Sequence, residues 1–116
     1  MIDQYFEAFR TKDLNSLKHI LHPQIVLQDP IVGKIEGMAR VLPIYEDFFI
    51  KNEYSLGLKR KFQKDQNLYA VEFSIVIYGK NKEDQIVDGI DLIEIRDNKI
   101  LSVRAYLDMR QNGREN

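Results

Sequence analysis

The sequence predicts an α+β domain in which three helices come first and cover one face of a long antiparallel sheet that curves around them. Two patterns carry this. Up to Asn52 the apolar residues recur at helical spacing, and beyond it they alternate as in strands. The strand Gln85 to Ile95 adds a third observation. Val87, Gly89, Asp91, Ile93 and Ile95 share one of its faces, and Ile86, Asp88, Ile90 and Leu92 share the other. Both faces are largely apolar, so both need cover. The helices supply cover for one. A second copy of the chain, hence a homodimer, is expected on the other.

Each element has its own signal. Ile2, Tyr5, Phe6 and Phe9 fall at i, i+3, i+4 and i+7 and mark the first helix. Asp13 is placed to cap a second helix with the stripe Leu14, Leu17 and Leu21, and Pro23 is expected to end it at His22. Gln24 to Asp29 alternates as a strand, with Ile25, Leu27 and Asp29 on one face, and Pro30 breaks it. A loop through Gly33 leads to Gly37. Met38, Val41, Leu42, Tyr45, Phe48 and Phe49 form the stripe of a third helix, in which Pro43 either costs no hydrogen bond or kinks the chain. Four strands follow: Tyr54 to Phe62, Leu68 to Tyr78, Gln85 to Ile95 and Lys99 to Met109. Turn residues separate them at Asp65-Gln66-Asn67, Lys80-Asn81-Lys82 and Asp97-Asn98.

Composition narrows the function classes. The 116 residues fit one domain, read as residues 1–110 with a polar tail over 111–116. A net charge of -1, from 17 basic and 18 acidic residues, provides no field for nucleic acid or an anionic membrane. The basic cluster Lys59, Arg60, Lys61 and Lys64 reads as a solvated strand end. Without cysteine there is no disulfide, thiolate nucleophile or sulfur-ligated metal. No membrane-spanning apolar run and no signal peptide are visible, so a cytoplasmic protein is expected. His19 and His22 lack an accompanying acidic cluster, so no metal site is expected. Phosphate-binding glycine loops and nucleophile elbows are absent, and no cofactor is expected.

Two carboxyl groups stand out. Asp29 lies at a strand end on an apolar face, where a carboxylate becomes a usable base near neutral pH; it is equally the first residue of an Asp-Pro turn. Asp91 lies mid-strand beside Val87, Ile93 and Ile95. A buried carboxyl there must be paired with a cation from elsewhere, or be protonated and act as a donor. Tyr5 and Tyr45 lie on helical apolar stripes, where aromatics pack in the core and reach a partner with the hydroxyl.

Taken jointly, these residues form a pattern. Tyr5-Phe6-Glu7, Asp13-Leu14 and Gln28-Asp29-Pro30 resemble the bacterial ketosteroid isomerases, a branch of the nuclear transport factor 2-like, or SnoaL-like, superfamily. The likeness needs no gap from Tyr5 through Pro30. It continues with one-residue adjustments through Gly37 to Tyr45, and returns at Val87-Asp88-Gly89-Ile90-Asp91 and Ala105-Tyr106-Leu107. It implies a cone-shaped, cystatin-like roll and a small hydrophobic ligand. It implies that Asp29 is the general base of a cofactor-free double-bond isomerisation next to a carbonyl. Tyr5 and Asp91 would be the two oxyanion donors, a neutral aspartic acid being that family's known device. Tyr45 would support Tyr5, and Phe9, Ile93, Val103 and Leu107 would line the pocket. Two positions depart from the family: Leu21 replaces a further tyrosine of its hydrogen-bond network, and Leu107 replaces a bulky aromatic of some members' pockets. Two other functions stay open on this fold: a non-catalytic ligand-binding module, and the aldol closure of polyketide cyclases.

Overall fold

The computed structural model describes residues 1–111. Three helices, α1 (Ile2–Arg10), α2 (Leu14–Ile20) and α3 (Met38–Lys51), accompany six strands. These are β1 (Leu21–Asp29), β2 (Gly33–Glu36), β3 (Tyr54–Asp65), β4 (Leu68–Ile77), β5 (Gln85–Arg96) and β6 (Lys99–Gln111). They form one curved, unclosed mixed sheet in the order β2-β1-β6-β5-β4-β3. The expected α+β architecture is therefore present. Every neighbouring pair is antiparallel except β1 and β6, which run parallel. The chain returns from β1 to β6 through α3 and the whole meander, long enough for a parallel crossover. Of the polar tail expected from Gln111, Gln111 itself ends β6 and residues 112–116 lie outside the described residues.

Local chemistry explains most boundaries. The Asp13 side chain accepts from the Ser16 amide at 3.0 Å and caps α2 as expected. The helix ends earlier than Pro23 alone would require. Leu21 is already extended (φ -83, ψ 139) and fully buried, so core packing rather than the proline closes α2. His22 and Pro23 belong to β1, where a register shift against β6 between Leu21 and Val26 accommodates them. The expected loop around Gly33 is instead the short strand β2, paired from Asp29↔Gly33 to Val26↔Glu36. Gly37 leaves it at φ 92, a conformation that side chains resist, and starts α3. Pro43 lies inside α3, beyond the first-turn amides that have no helical partner, so one helical bond is forgone. The meander strands run where expected: β3, β5 and β6 extend slightly beyond the sequence pattern, and β4 stops one residue short of Tyr78. Asp97 and Asn98 both take positive φ (53 and 61), the geometry of a tight hairpin turn between β5 and β6.

The core lies between the helices and the inner sheet face. Leu17, Leu21, Ile25, Val41, Val71, Ile93, Ile100 and Val103 are its most deeply buried members. On β5 the alternation is realised: Val87, Asp91 and Ile93 face inward, and Ile90 lies exposed on the opposite face. Among the described residues no helix is long and apolar enough to cross a membrane.

Candidate active site

The open end of the fold holds a cavity of about 430 Å³. Its walls come from α1, α3, β1 and the meander, and they bring Tyr5, Asp29, Tyr45 and Asp91 to one space. Each arrives by the logic of its element. Tyr5 follows the buried stripe of α1 and Tyr45 that of α3. Asp91 follows the inward alternation of β5, and Asp29 ends β1 on the face of Ile25 and Leu27.

Tyr5 and Tyr45 join their hydroxyls at 2.7 Å, with the rings edge-to-face at 6.2 Å. Phe9 packs against Tyr45, Phe48, Phe49 and Tyr54, which makes this wall an aromatic cluster. The Tyr54 hydroxyl donates to the Phe9 carbonyl and ties α1 to β3. Burial holds the Tyr5 hydroxyl well above the usual phenol range; the neighbouring Tyr45 and the charge of Asp91 push the same way. Tyr45 is also raised, first by burial. Both are therefore hydrogen-bond donors at any physiological pH.

Asp91 is 7% exposed and is the buried charged residue of the core. Burial, and then the charge of Asp29, raise its pKa to about 7. Of the two arrangements open to a buried carboxyl, the cation-paired one is absent: among the described residues no lysine or arginine bridges to Asp91. The cavity wall itself carries Asp29, Asp47 and Asp91, and among the described residues no basic side chain lines it. Asp47 sits at the outer end and pairs with Lys51 at 3.0 Å. Asp88, on the far sheet face, lies 3.8 Å from Lys59.

Asp29 does two things at once. It lines the cavity, and its Oδ1 accepts from the amides of Ile31 and Val32, each at 2.7 Å. The Asp-Pro turn is thus present together with the cavity position.

Of the expected lining residues, Phe9, Val103 and Leu107 face the cavity. Ile93 does not: it is fully buried beyond Asp91, in the closed part of the core, beside Tyr69 and Val103 in the sheet. Leu21, at the departing tyrosine position, is likewise a core residue away from the wall. Sequence reasoning missed Leu56, Phe73, Ile75, Val87 and the rim residues Ile31 and Val32. The shared inward face of Val71, Phe73, Ile75 and Ile77 was a usable signal, but apolar alternation does not distinguish a cavity wall from solid core. Gly89 lets two wall residues, Phe73 and Leu107, close over its backbone. A Cβ there would lie 2.7 Å from Phe73 Cζ, and 2.9 Å from both Leu107 Cδ2 and the Tyr106 carbonyl oxygen. The histidines stay apart from this site. The His19 ring bonds the Asn15 carbonyl, and His22 approaches Asp97 at 3.4 Å.

Comparison with known proteins places this geometry in context. The model of the SnoaL-like domain matches residues 2–103. No curated protein sequence matches. Solved structures do match, at low identity. An NTF2-like protein of unknown function from Cytophaga hutchinsonii superposes with a TM-score of 0.76 at 19% identity, covering 92% of this chain and 86% of that one. An LEH-like epoxide hydrolase of Mycobacterium tuberculosis gives 0.79 at 15% identity, covering 92% and 79%. Another M. tuberculosis protein, solved in complex with estradiol-17beta-hemisuccinate, gives 0.81 at 12% identity, covering 93% of each chain. Similarity at these identities establishes the shared fold.

Proposed function

The chain belongs to the SnoaL-like domain family, and we propose that it is a cofactor-free isomerase that shifts a carbon–carbon double bond next to a carbonyl of a small apolar ligand. The observation that supports this reading is the convergence of Tyr5, Asp29 and Asp91 on one apolar-walled cavity. Such a reaction needs a base that removes a proton from one carbon and returns it to another, and donors where charge develops on oxygen. Asp29 takes the proton next to the carbonyl. The C–H electron pair moves into the enone system, and the negative charge collects on the carbonyl oxygen. Tyr5 and protonated Asp91 donate to that oxygen. Asp29 then returns the same proton to the far carbon, so the site ends as it began and no co-reactant is consumed. Tyr45 donates to the Tyr5 oxygen, leaving the Tyr5 proton for the substrate. Phe9, Val103 and Leu107 hold the apolar body.

The complex of a structural relative with a steroid ester supports an apolar, polycyclic ligand class. The experiment is a panel of β,γ-unsaturated ketones, steroidal and smaller, followed by the ultraviolet absorbance of the conjugated product. Turnover of at least one by the wild-type chain is expected. Binding without turnover across the panel would favour the second reading, a ligand-binding module. The two hydrogen bonds from the Ile31 and Val32 amides to Asp29 Oδ1 are compatible with that reading too, since they suit a structural turn as well as a base.

The assembly belongs to the same proposal. On the outer sheet face Ile90, Tyr106 and Phe62 are exposed, with Ile90 and Tyr106 paired across β5 and β6. A second copy covering this face would give a homodimer with both cavities open.

A further inference from the structure

The turn between β1 and β2 is built on the carboxylate that also faces the cavity. Asp29 Oδ1 receives the Ile31 and Val32 amides at 2.7 Å each. Asp29 pairs with Gly33 across the turn, and Gly33 closes it at φ 76. The same turn sets Ile31 and Val32 on the cavity wall, where Ile31 is 64% exposed. One carboxylate thus holds a piece of the rim.

Resting on the reading of Asp29 as the base, we propose that residues 29–33 form the positioning and specificity element of this site. The Ile31 and Val32 amides fix the carboxylate by Oδ1, and Oδ2 is the oxygen that exchanges the proton. The ionisation of Asp29 then sets how firmly the Ile31–Val32 rim is held.

The reason is the strength of the bonds. Hydrogen bonds to an ionised carboxylate are about twice as strong as neutral ones. With Oδ1 engaged twice, an incoming proton goes to Oδ2. Its arrival removes the charge and weakens both amide bonds. The rim is firm while Asp29 is ionised and waiting, and loosens while it holds the substrate's proton. The charged and titratable groups facing Asp29 do not mask this. They are Asp91 from β5 and Tyr45 from α3, with the outer Asp47 of α3 already paired to Lys51. Among the described residues no basic side chain lines the wall to take over the hold on Asp29.

The test is amide NMR of the wild-type chain, Asp29→Asn and Asp29→Ala. In wild type, the Ile31 and Val32 amide proton shifts should move with pH together with the Asp29 carboxyl carbon. In Asp29→Asn the acceptor persists without the charge, so the pH movement vanishes and exchange of both amides quickens. In Asp29→Ala the acceptor is gone, and exchange should quicken by roughly tenfold or more. Exchange of the β4 and β5 amides should stay the same in all three, separating a loosened rim from a lost fold. A further variant, Ile31→Ser, keeps the amide and tests the side chain. It should raise the Kd of a steroid-sized enone by roughly threefold or more, through lost apolar contact, and leave that of a monocyclic enone unchanged. The inference is overturned if the two amides ignore the carboxyl titration, if they exchange equally fast in wild type and Asp29→Ala, or if Ile31→Ser weakens both enones alike. None of these readouts needs turnover, so an inactive wild type would defeat the isomerase reading without deciding this one.

Discussion

The hydroxyls of Tyr5 and Tyr45, forty positions apart in the chain, meet at 2.7 Å inside the protein and satisfy each other. Two helices that share no sequence-local contact are joined by this bond, and both of its partners line the same cavity as Asp29 and Asp91. Removing either hydroxyl leaves the other buried without its partner, which costs about 1–3 kcal/mol. Removing both lets two phenyl rings pack. The double variant Tyr5→Phe/Tyr45→Phe should therefore be less destabilised than the sum of the singles, by about 0.5 kcal/mol or more in urea unfolding. Strict additivity would mean that the pair is not a coupled unit.

Asp91 makes stability depend on pH in a known direction. Its folded pKa of about 7 lies above the ordinary 3.8. Between those values the folded chain keeps a proton that the unfolded chain has lost. Stability from this residue is therefore full below about pH 4, falls as pH rises toward 7, and levels off above it. The slope is at most about 1.4 kcal/mol per pH unit. Asp91→Asn should abolish this component and be relatively more stable than wild type at pH 8 than at pH 5. Chemical denaturation at the two pH values checks it, and carboxyl-carbon NMR titration of Asp91 should show a midpoint far above the normal aspartate range.

Gly89 tests how the cavity is made. Alanine there meets the Tyr106 carbonyl oxygen, which is backbone and cannot swing away, together with the tips of Phe73 and Leu107, two residues of the cavity wall. Gly89→Ala should cost about 1–3 kcal/mol of stability and weaken ligand binding at the same time. Urea unfolding and fluorescence titration with an apolar ligand measure both. Unchanged binding would show that the space beside Gly89 is not used by ligand.

Much of this architecture was legible because it rests on period. The stripe of α1 located Tyr5, and the alternation of β5 located Asp91 on an inward face. The Asp13 cap and the Asp97-Asn98 turn marked element ends through local chemistry. Other features depend on distant partners. β2 contains one large apolar residue, Ile35, and exists because Gly33 to Glu36 can pair with β1. Leu21 leaves α2 because the core needs it, although its spacing fits the helical stripe. Ile93 and Val87 share a strand face with Asp91, yet Val87 lines the cavity and Ile93 is sealed in the core. The curvature of the sheet decides that, and no local pattern encodes it. The double engagement of Asp29 was visible only as two alternatives, base or turn; the structure has the turn bonds and a place on the cavity wall together.

The outer sheet face bears on assembly. Ile90→Asp should weaken association, since burying an unpaired charge against a second copy is costly, and should leave the cavity unchanged because Ile90 points away from it. Light scattering at micromolar concentration should give a mass near twice 13.7 kDa for wild type and nearer 13.7 kDa for the variant. A wild-type mass near 13.7 kDa would contradict the dimer.

Tyr5→Phe separates oxyanion support from base chemistry. Loss of one donor should lower kcat on the order of 10²–10³-fold, with a smaller change in ligand affinity. A variant that loses affinity and keeps kcat would place Tyr5 in ground-state binding alone.

The most direct measurement compares wild type with Asp29→Asn on whichever β,γ-unsaturated ketone the wild type converts, recording conjugated-product absorbance and ligand Kd on the same preparations. The amide retains the acceptor for the Ile31 and Val32 bonds but cannot take up the substrate's proton. Turnover should fall on the order of 10²–10⁴-fold or more while Kd stays within a few-fold of wild type. Turnover that survives Asp29→Asn unchanged would contradict the account, because the proton would then be moved by another group.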